Sequence, residues 1–183
     1  MSAPRAAWLG QVIEDALEPE RPLLDAHHHL WEFSRNPYLP GDMLADMRGH
    51  NVCHNVRQSV FVECGAGYDN GADESLRPVG ETRFVFDCTA DCTAAVRPGQ
   101  ALAPVLAAAI VGHANLQLGE AVTPVLQAHL AAAPGRFRAV RHSCTWDPSE
   151  DVPNSHSGPP PSLYLRDDFR AGFAQLAPLG LHF

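Results

Sequence analysis

The run PLLDAHHHLW, Pro22 to Trp31, sets an aspartate and three consecutive histidines directly behind three apolar residues. Three adjacent imidazoles are a poor way to build a core, and the run is internal, so it does not read as a purification tag. If Leu23 and Leu24 lie in a strand, alternation puts His27 and His29 on one side and His28 on the other. Two imidazoles so spaced can reach one divalent ion or one polarised carbonyl. Asp25 has the same parity and would orient a ligand histidine through its far ring nitrogen. Further along stand Glu63 in VFVEC, His113 in VGHAN, and Arg141 with His142 in RAVRH. A guanidinium suits a carboxylate, which it meets with paired hydrogen bonds. Read singly, His50, His54, His129 and His156 are expected to be ordinary hydrogen-bonded histidines. His113 is open between a strand end and a turn.

The elements that must carry these residues alternate along the chain. AAWLGQVIEDAL gathers Leu9, Val12, Ile13, Ala16 and Leu17 on one helical face, and EPERP ends it. PLLDAH reads as a short buried strand, GDMLADMRGHN as a short helix, and VRQSVFVEC, Val56 to Cys64, as a second strand rich in β-branched residues. After the loop GAGYDNGADE comes a weakly patterned helix from about Leu76 to Phe86. AAAIVGHA is a third strand. EAVTPVLQAHLAAAPG is a helix with Val122, Val125, Leu126, His129 and Leu130 on one face, stopped at Pro134 and Gly135. RFRAVRH is a fourth strand. A proline-rich loop, Thr145 to Ser162, leads to a helix with Phe169, Phe173, Leu176 and Ala177 inward, and LGLHF begins a fifth strand.

Steady alternation of this kind predicts an α/β fold with a parallel sheet and crossover helices. An open nucleotide-binding sheet wants a glycine-rich turn after the first strand, where this chain has DAHHHLW. A β/α barrel places its chemistry at the C-terminal ends of the strands, which is where His27, His29, Glu63, His113, Arg141 and His142 fall.

Composition narrows the function class. At 183 residues the chain is long enough for one sizeable core, and a net charge of −8 disfavours nucleic acid and anionic membranes, which need clustered Lys and Arg. The longest apolar run, LAPVLAAAIVG, is too short to cross a bilayer, and the first twenty residues lack a signal peptide's apolar core. A cytoplasmic protein with a small-molecule substrate, able to form a homo-oligomer, is the expectation. Five cysteines at irregular spacing read as free thiols. Cys88 and Cys92 could share a helix face as zinc ligands, but no C-x-x-C pair accompanies them.

With these residues in view, LLDAHHHLWEF, RNPYL, HNVRQSVFVECGAGY, RPVGETRFV, AAIVGHANL and GRFRAVRHSCTWDP, in this order, resemble the amidohydrolase-2 group of metal-dependent hydrolases, the branch with lactonases. The resemblance runs from about Leu23 to the C-terminus. It implies a TIM-like barrel of which residues 1–183 would form a single domain holding the first four to five strands. It matches His27 and His29 to the family's H-x-H motif, as ligands of a divalent metal, zinc being the natural candidate, or as electrophilic donors. It matches Arg141 and His142 to a substrate-contacting Arg-His pair. Glu63 would join the two histidines as a catalytic group or third ligand, and His113 would line the substrate site.

Two departures shape the expectation. Residues 86–104 lack the pattern expected between the second helix and third strand, and read as an atypical segment. A barrel of about 250 residues would continue through roughly three further strand and helix units. The family's later metal-site histidine and its aspartate general base have no counterpart among these residues. Lactone hydrolysis is the expected ancestral chemistry; the alternative is a truncated, catalytically silent chain that associates with itself or with a complementary one.

Overall fold

The computed structural model describes residues 8, 10–12, 17–33, 35–47, 54–93, 104–149, 151–152 and 158–183. The expected N-terminal helix lies largely outside these residues, as do His50, Cys53, His156 and positions 94–103 of the atypical segment.

Four strands form one sheet: β1 (Pro22–His28), β2 (Asn55–Val62), β3 (Val105–His113) and β4 (Phe137–Arg141). Every neighbouring pair is parallel, and the strands lie side by side in chain order. The expected fifth strand begins at His182, which bridges Ala139 in parallel: its N–H donates to the Arg138 carbonyl and its carbonyl accepts from the Val140 N–H, both at 3.0 Å. Valine, alanine and isoleucine make up most of β3, and β2 turns from polar to apolar toward its C-terminal end, at Val60 to Val62, where the strands lie inside the sheet.

The crossovers carry α1 (Pro40–Met47), α2 (Val79–Cys88), α3 (Thr123–Ala132) and α4 (Asp167–Phe173). α1 opens on Pro40, and the Asp42 carboxylate accepts the Leu39 N–H at 2.9 Å, satisfying a donor that the helix leaves free. α3 opens with Pro124 in its first turn, and Gly135 (φ 72°) reverses the chain after it. α2 ends at Cys88, and Cys92 falls in a separate helical turn, Asp91–Thr93, so the two cysteines do not share one helix face. Cys64, Cys88, Cys92 and Cys144 are free thiols.

Phe61, Leu106, Ile110, Leu126, Phe137 and Val140 fill the space between sheet and helices, each at most 1% exposed. Burial of side chains of this size contributes about 1.5–3 kcal/mol apiece. Gly112 sits where β3, α2 and α3 close together: a Cβ there would meet Phe137 at 2.8 Å, Thr82 at 3.1 Å and His129 at 3.3 Å. α4 departs from the expected apolar face. Phe169, Gly172 and Leu176 turn inward, while Phe173 stays 46% exposed. The cause is a backbone contact: a Cβ on Gly172 would lie 2.1 Å from the Leu116 carbonyl oxygen, so the helix packs through its glycine and Phe173 rotates out.

At the N-terminal end of the sheet, Arg136 performs a task no motif announced. It donates to the carbonyls of Leu106 and Ala107 and to the Thr89 hydroxyl, and its guanidinium lies 5.1 Å from the centre of the Phe86 ring. Ala107 holds a left-handed φ of 47°, a costly conformation for a residue with a Cβ. Its N–H is taken by the Ser59 hydroxyl and its carbonyl by Arg136. Among the described residues no helix is long and apolar enough to cross a membrane.

Candidate active site

Because all four strands run the same way, their C-terminal ends share one rim. Pairing assigns the faces. Phe61 pairs with Ile110 and Gly112 with Val140, toward the helices; Val62 pairs with Val111 and His113 with Arg141, toward the other side. A cleft of about 500 Å³ opens at this rim, lined by His27, Val62, Val111, Arg141, Tyr164 and Phe183 among others.

His27 and His29 converge as alternation predicts. Their Nε2 atoms are 3.3 Å apart, with the rings edge to face. His29 Nδ1 donates to the Val62 carbonyl at 2.7 Å, because a carbonyl only accepts. That bond leaves His29 Nε2 bare, which makes His27 Nε2 the donor between the rings and His27 Nδ1 the unprotonated nitrogen. The His27 pKa is lowered, first by its partial burial, then by His29 and Arg141, with Asp25 opposing.

Asp25 does not take the orienting role expected of it. β1 pairs Asp25 with Ser59 and His28 with Phe61, with an irregularity between them, so Asp25 shares the helix-side register and not that of His27. Its carboxylate accepts the main-chain N–H of His27 at 3.1 Å. The ring partner that holds His29 is the Val62 carbonyl. His28 packs edge-on to Phe61 at 8% exposure, neither ring nitrogen makes a hydrogen bond, and burial lowers its pKa to about 4.

Glu63 and Arg141 form one clasp. Arg141 Nε donates to Glu63 Oε1 at 2.8 Å and Nη2 to the Glu63 carbonyl at 2.6 Å. The side chains are 29% and 12% exposed. Arg141 therefore offers an incoming anion its outward edge, the Nη1 side, rather than the whole fork. Glu63 is committed to the guanidinium, and among the described residues no three His, Cys, Asp or Glu side chains converge on a metal position. The expected trio of His27, His29 and Glu63 is not assembled as a ligand set.

The histidine pair alone is compatible with two corners of a metal site. Two metal–nitrogen bonds of about 2.0–2.1 Å at a tetrahedral angle separate their nitrogens by about 3.3–3.4 Å, the spacing seen here. The carbonyl on His29 Nδ1 is the support such ligands ordinarily have. Chelation would require the His27 proton to move from Nε2 to Nδ1.

His113 and His142 are less available. His113 Nδ1 lies 3.1 Å from the Arg141 carbonyl. His142 is 6% exposed, its Nδ1 accepts the Leu116 N–H at 3.2 Å, and its ring lies between His113 and Phe169. Burial, then His113, lowers its pKa to about 4, so it stays neutral and acts as a packing and hydrogen-bonding group at the cleft wall. His129 behaves as its lone occurrence suggested: it is fully buried, bonded to the Thr82 hydroxyl at 2.8 Å and donating to the His113 carbonyl at 3.0 Å.

Sequence reasoning missed Ser143, Cys144, Thr145, Tyr164 and Phe183 as cleft residues. The first three follow Arg141 and His142 directly, a position that itself signals the rim. Tyr164 arrives from beyond the proline-rich loop, and its hydroxyl donates to the His142 carbonyl at 3.2 Å. No family model, curated protein or solved structure matches the chain.

Proposed function

We propose that the cleft at the C-terminal rim is a hydrolytic site of the amidohydrolase-related type, acting on a lactone or related carboxylic ester that bears a carboxylate. The observation that carries the proposal is the 3.3 Å approach of His27 Nε2 to His29 Nε2, with His29 fixed by the Val62 carbonyl, beside the Arg141–Glu63 clasp. The reading of the sheet as the opening strands of a TIM-like barrel belongs to the same proposal. It is supported by the parallel strands in chain order and by the part-exposed apolar residues Val60, Ala109, Val111 and Ala139 on the side away from the helices. Parallel strands are ordinarily covered on both faces, and a barrel meets that need by closing its inner face upon itself.

The chain's own residues divide the work. The outward edge of Arg141 binds the substrate carboxylate and turns the lactone carbonyl toward the histidine pair. Neutral His27 accepts a proton at Nδ1 from the attacking water. Water oxygen bonds to the carbonyl carbon, the ring C–O bond breaks, and the proton passes to the departing alkoxide, leaving a hydroxy acid. A divalent ion held by His27 and His29 would instead supply Lewis acidity for the carbonyl and lower the pKa of the water; chelation places the His27 proton on Nδ1, so His27 would then serve as a ligand and not as the base.

The test compares a carboxylated γ-lactone with its uncharged parent, with and without zinc, while zinc binding is followed calorimetrically. Zinc uptake by the wild type and hydrolysis favouring the carboxylated lactone are expected. The His27→Ala/His29→Ala double variant should lose zinc binding and about a hundredfold or more in turnover, and Arg141→Ala should remove the preference. Undiminished turnover in the double variant would refute the proposal.

A further inference from the structure

We infer that Glu81 is a positioning residue for this rim: its buried carboxylate holds the turn after β2, and through that turn sets both the Glu63 clasp on Arg141 and the approach to the histidine pair. This inference deepens the proposed function and rests on it only for the identity of the ligand.

The geometry is specific. Glu81 lies in the first turn of α2 and is 1% exposed. Its Oε1 accepts the N–H groups of Cys64 at 2.9 Å and Ala66 at 2.8 Å, so one oxygen ties down two amides of the turn. The residue just before that turn is Glu63, whose carbonyl and carboxylate both receive Arg141. Cys64 Sγ donates to the Leu30 carbonyl at 3.5 Å, which joins the same turn to the residue that follows His29. The turn is also pressed against the start of α2: a Cβ on Gly80 would lie 2.5 Å from the Gly67 carbonyl and 2.6 Å from the Asp69 nitrogen. A displacement of Glu81 therefore cannot be absorbed locally and must move the turn.

The second oxygen makes the arrangement responsive. Oε2 is buried and makes no hydrogen bond. The titratable groups that face the carboxyl are Glu63 at the end of β2 and Cys64 and Tyr68 in the turn, none of them a cation. Among the described residues no ion pair includes Glu81. Burial raises its pKa to about 7 against the opposing bonds from Cys64 and Ala66. As an acid it meets the two amides with a neutral oxygen; as a carboxylate it holds them more strongly on Oε1 but leaves a buried charge on the unpartnered Oε2, which draws water into the turn. The added negative charge repels an anion at the rim, so anion binding weakens as pH rises. By linkage, an anion held on Arg141 must in turn favour the protonated Glu81.

The test is a pH titration of the whole chain by NMR, following the Cys64 and Ala66 amides and the Arg141 Nε–H, with glutarate as the carboxylate probe. In the wild type both amides should shift with one midpoint near 7, and glutarate affinity should fall about fivefold or more across it. Glu81→Gln keeps an acceptor for the two amides and should bind glutarate with a flat pH profile. Glu81→Ala should move the Arg141 Nε–H resonance toward that of a free guanidinium; should that variant fail to fold, the wild-type and Gln titrations still decide. Amides that stay still between about pH 5.5 and 8.5 in the wild type, or that titrate equally in Glu81→Gln, would overturn the inference. Amides that titrate as expected in a protein that binds no glutarate at any pH would reject the proposed function and leave the positioning role standing.

Discussion

Truncating both sides of the Glu63–Arg141 clasp in a double-mutant cycle tests whether it is a firm part of the rim. Charge-assisted hydrogen bonds contribute about 1.5–3 kcal/mol each. Arg141 makes two to Glu63, one to the carboxylate and one to the main-chain carbonyl. Exposures of 29% and 12% allow water to screen part of this, and ordering a long arginine side chain costs about 1.5–2 kcal/mol. Arg141→Ala should therefore destabilise the fold by about 2–3 kcal/mol. The cycle with Glu63→Ala should return a side-chain coupling of about 1–2 kcal/mol, because the carbonyl bond persists in Glu63→Ala. Arg141→Lys should recover at most about half, since an ammonium cannot serve both oxygens in one plane. Urea unfolding at pH 7 measures all four corners. A coupling below about 0.5 kcal/mol would show the pair to be water-separated in solution, and Arg141 would then be free to offer its whole fork to an anion.

Acid should destabilise the protein through its buried histidines. His28, His129 and His142 each have a folded pKa lowered to about 4 by burial, so each contributes stability that is present above the unfolded value near 6.5 and is lost as pH falls toward 4. Glu81 has the opposite sign: its folded pKa near 7 exceeds the unfolded value, so it favours the fold as pH falls from 7 toward about 4.5. At about 2 kcal/mol per group between pH 7 and 5, the net loss should be about 3–4 kcal/mol, and Glu81→Gln should widen it to about 5–6; equal stability at the two pH values in urea melts would refute this. Gly172→Ala forces a Cβ onto the Leu116 carbonyl and should cost about 3 kcal/mol or prevent folding, whereas Phe173→Ser, on the exposed face, should change stability by less than about 1 kcal/mol. Equal melts for the two variants would place the buried face of α4 elsewhere.

Much of the fold was legible because its signals are local and redundant. VRQSVFV and RFRAV are short β-branched runs bounded by turns, and APG after α3 stops a helix in only one way. Parallel order then follows from the strands' separation by crossover helices. What resisted reading depends on contacts distant in sequence. The inward face of α4 is decided by the Leu116 carbonyl, more than fifty positions earlier, and no periodicity in RDDFRAGF encodes it. Arg136 is likewise invisible as the anchor of Ala107, because the left-handed φ that makes its hydrogen bonds valuable is itself a tertiary outcome.

The site divides along the same line. The pairing of His27 with His29 was legible because period two survives at the end of β1, yet Asp25, two positions earlier, was misplaced by the same rule. An irregularity between Asp25 and His28 breaks the register, and a one-residue slip moves a side chain to the opposite face. The proximity of Glu63 and Arg141 could be guessed from their common rim, but not that they would hold each other, since mutual neutralisation and joint ligand binding draw on the same charges. Glu81 gave no signal at all: a glutamate in the first turn of a helix is ordinarily explained by the helix dipole. Only burial, two amides on one oxygen and none on the other distinguish it from such a residue. Where a carboxylate is this enclosed, stability and ligand affinity must share its proton, so the pH dependence of either one constrains the other.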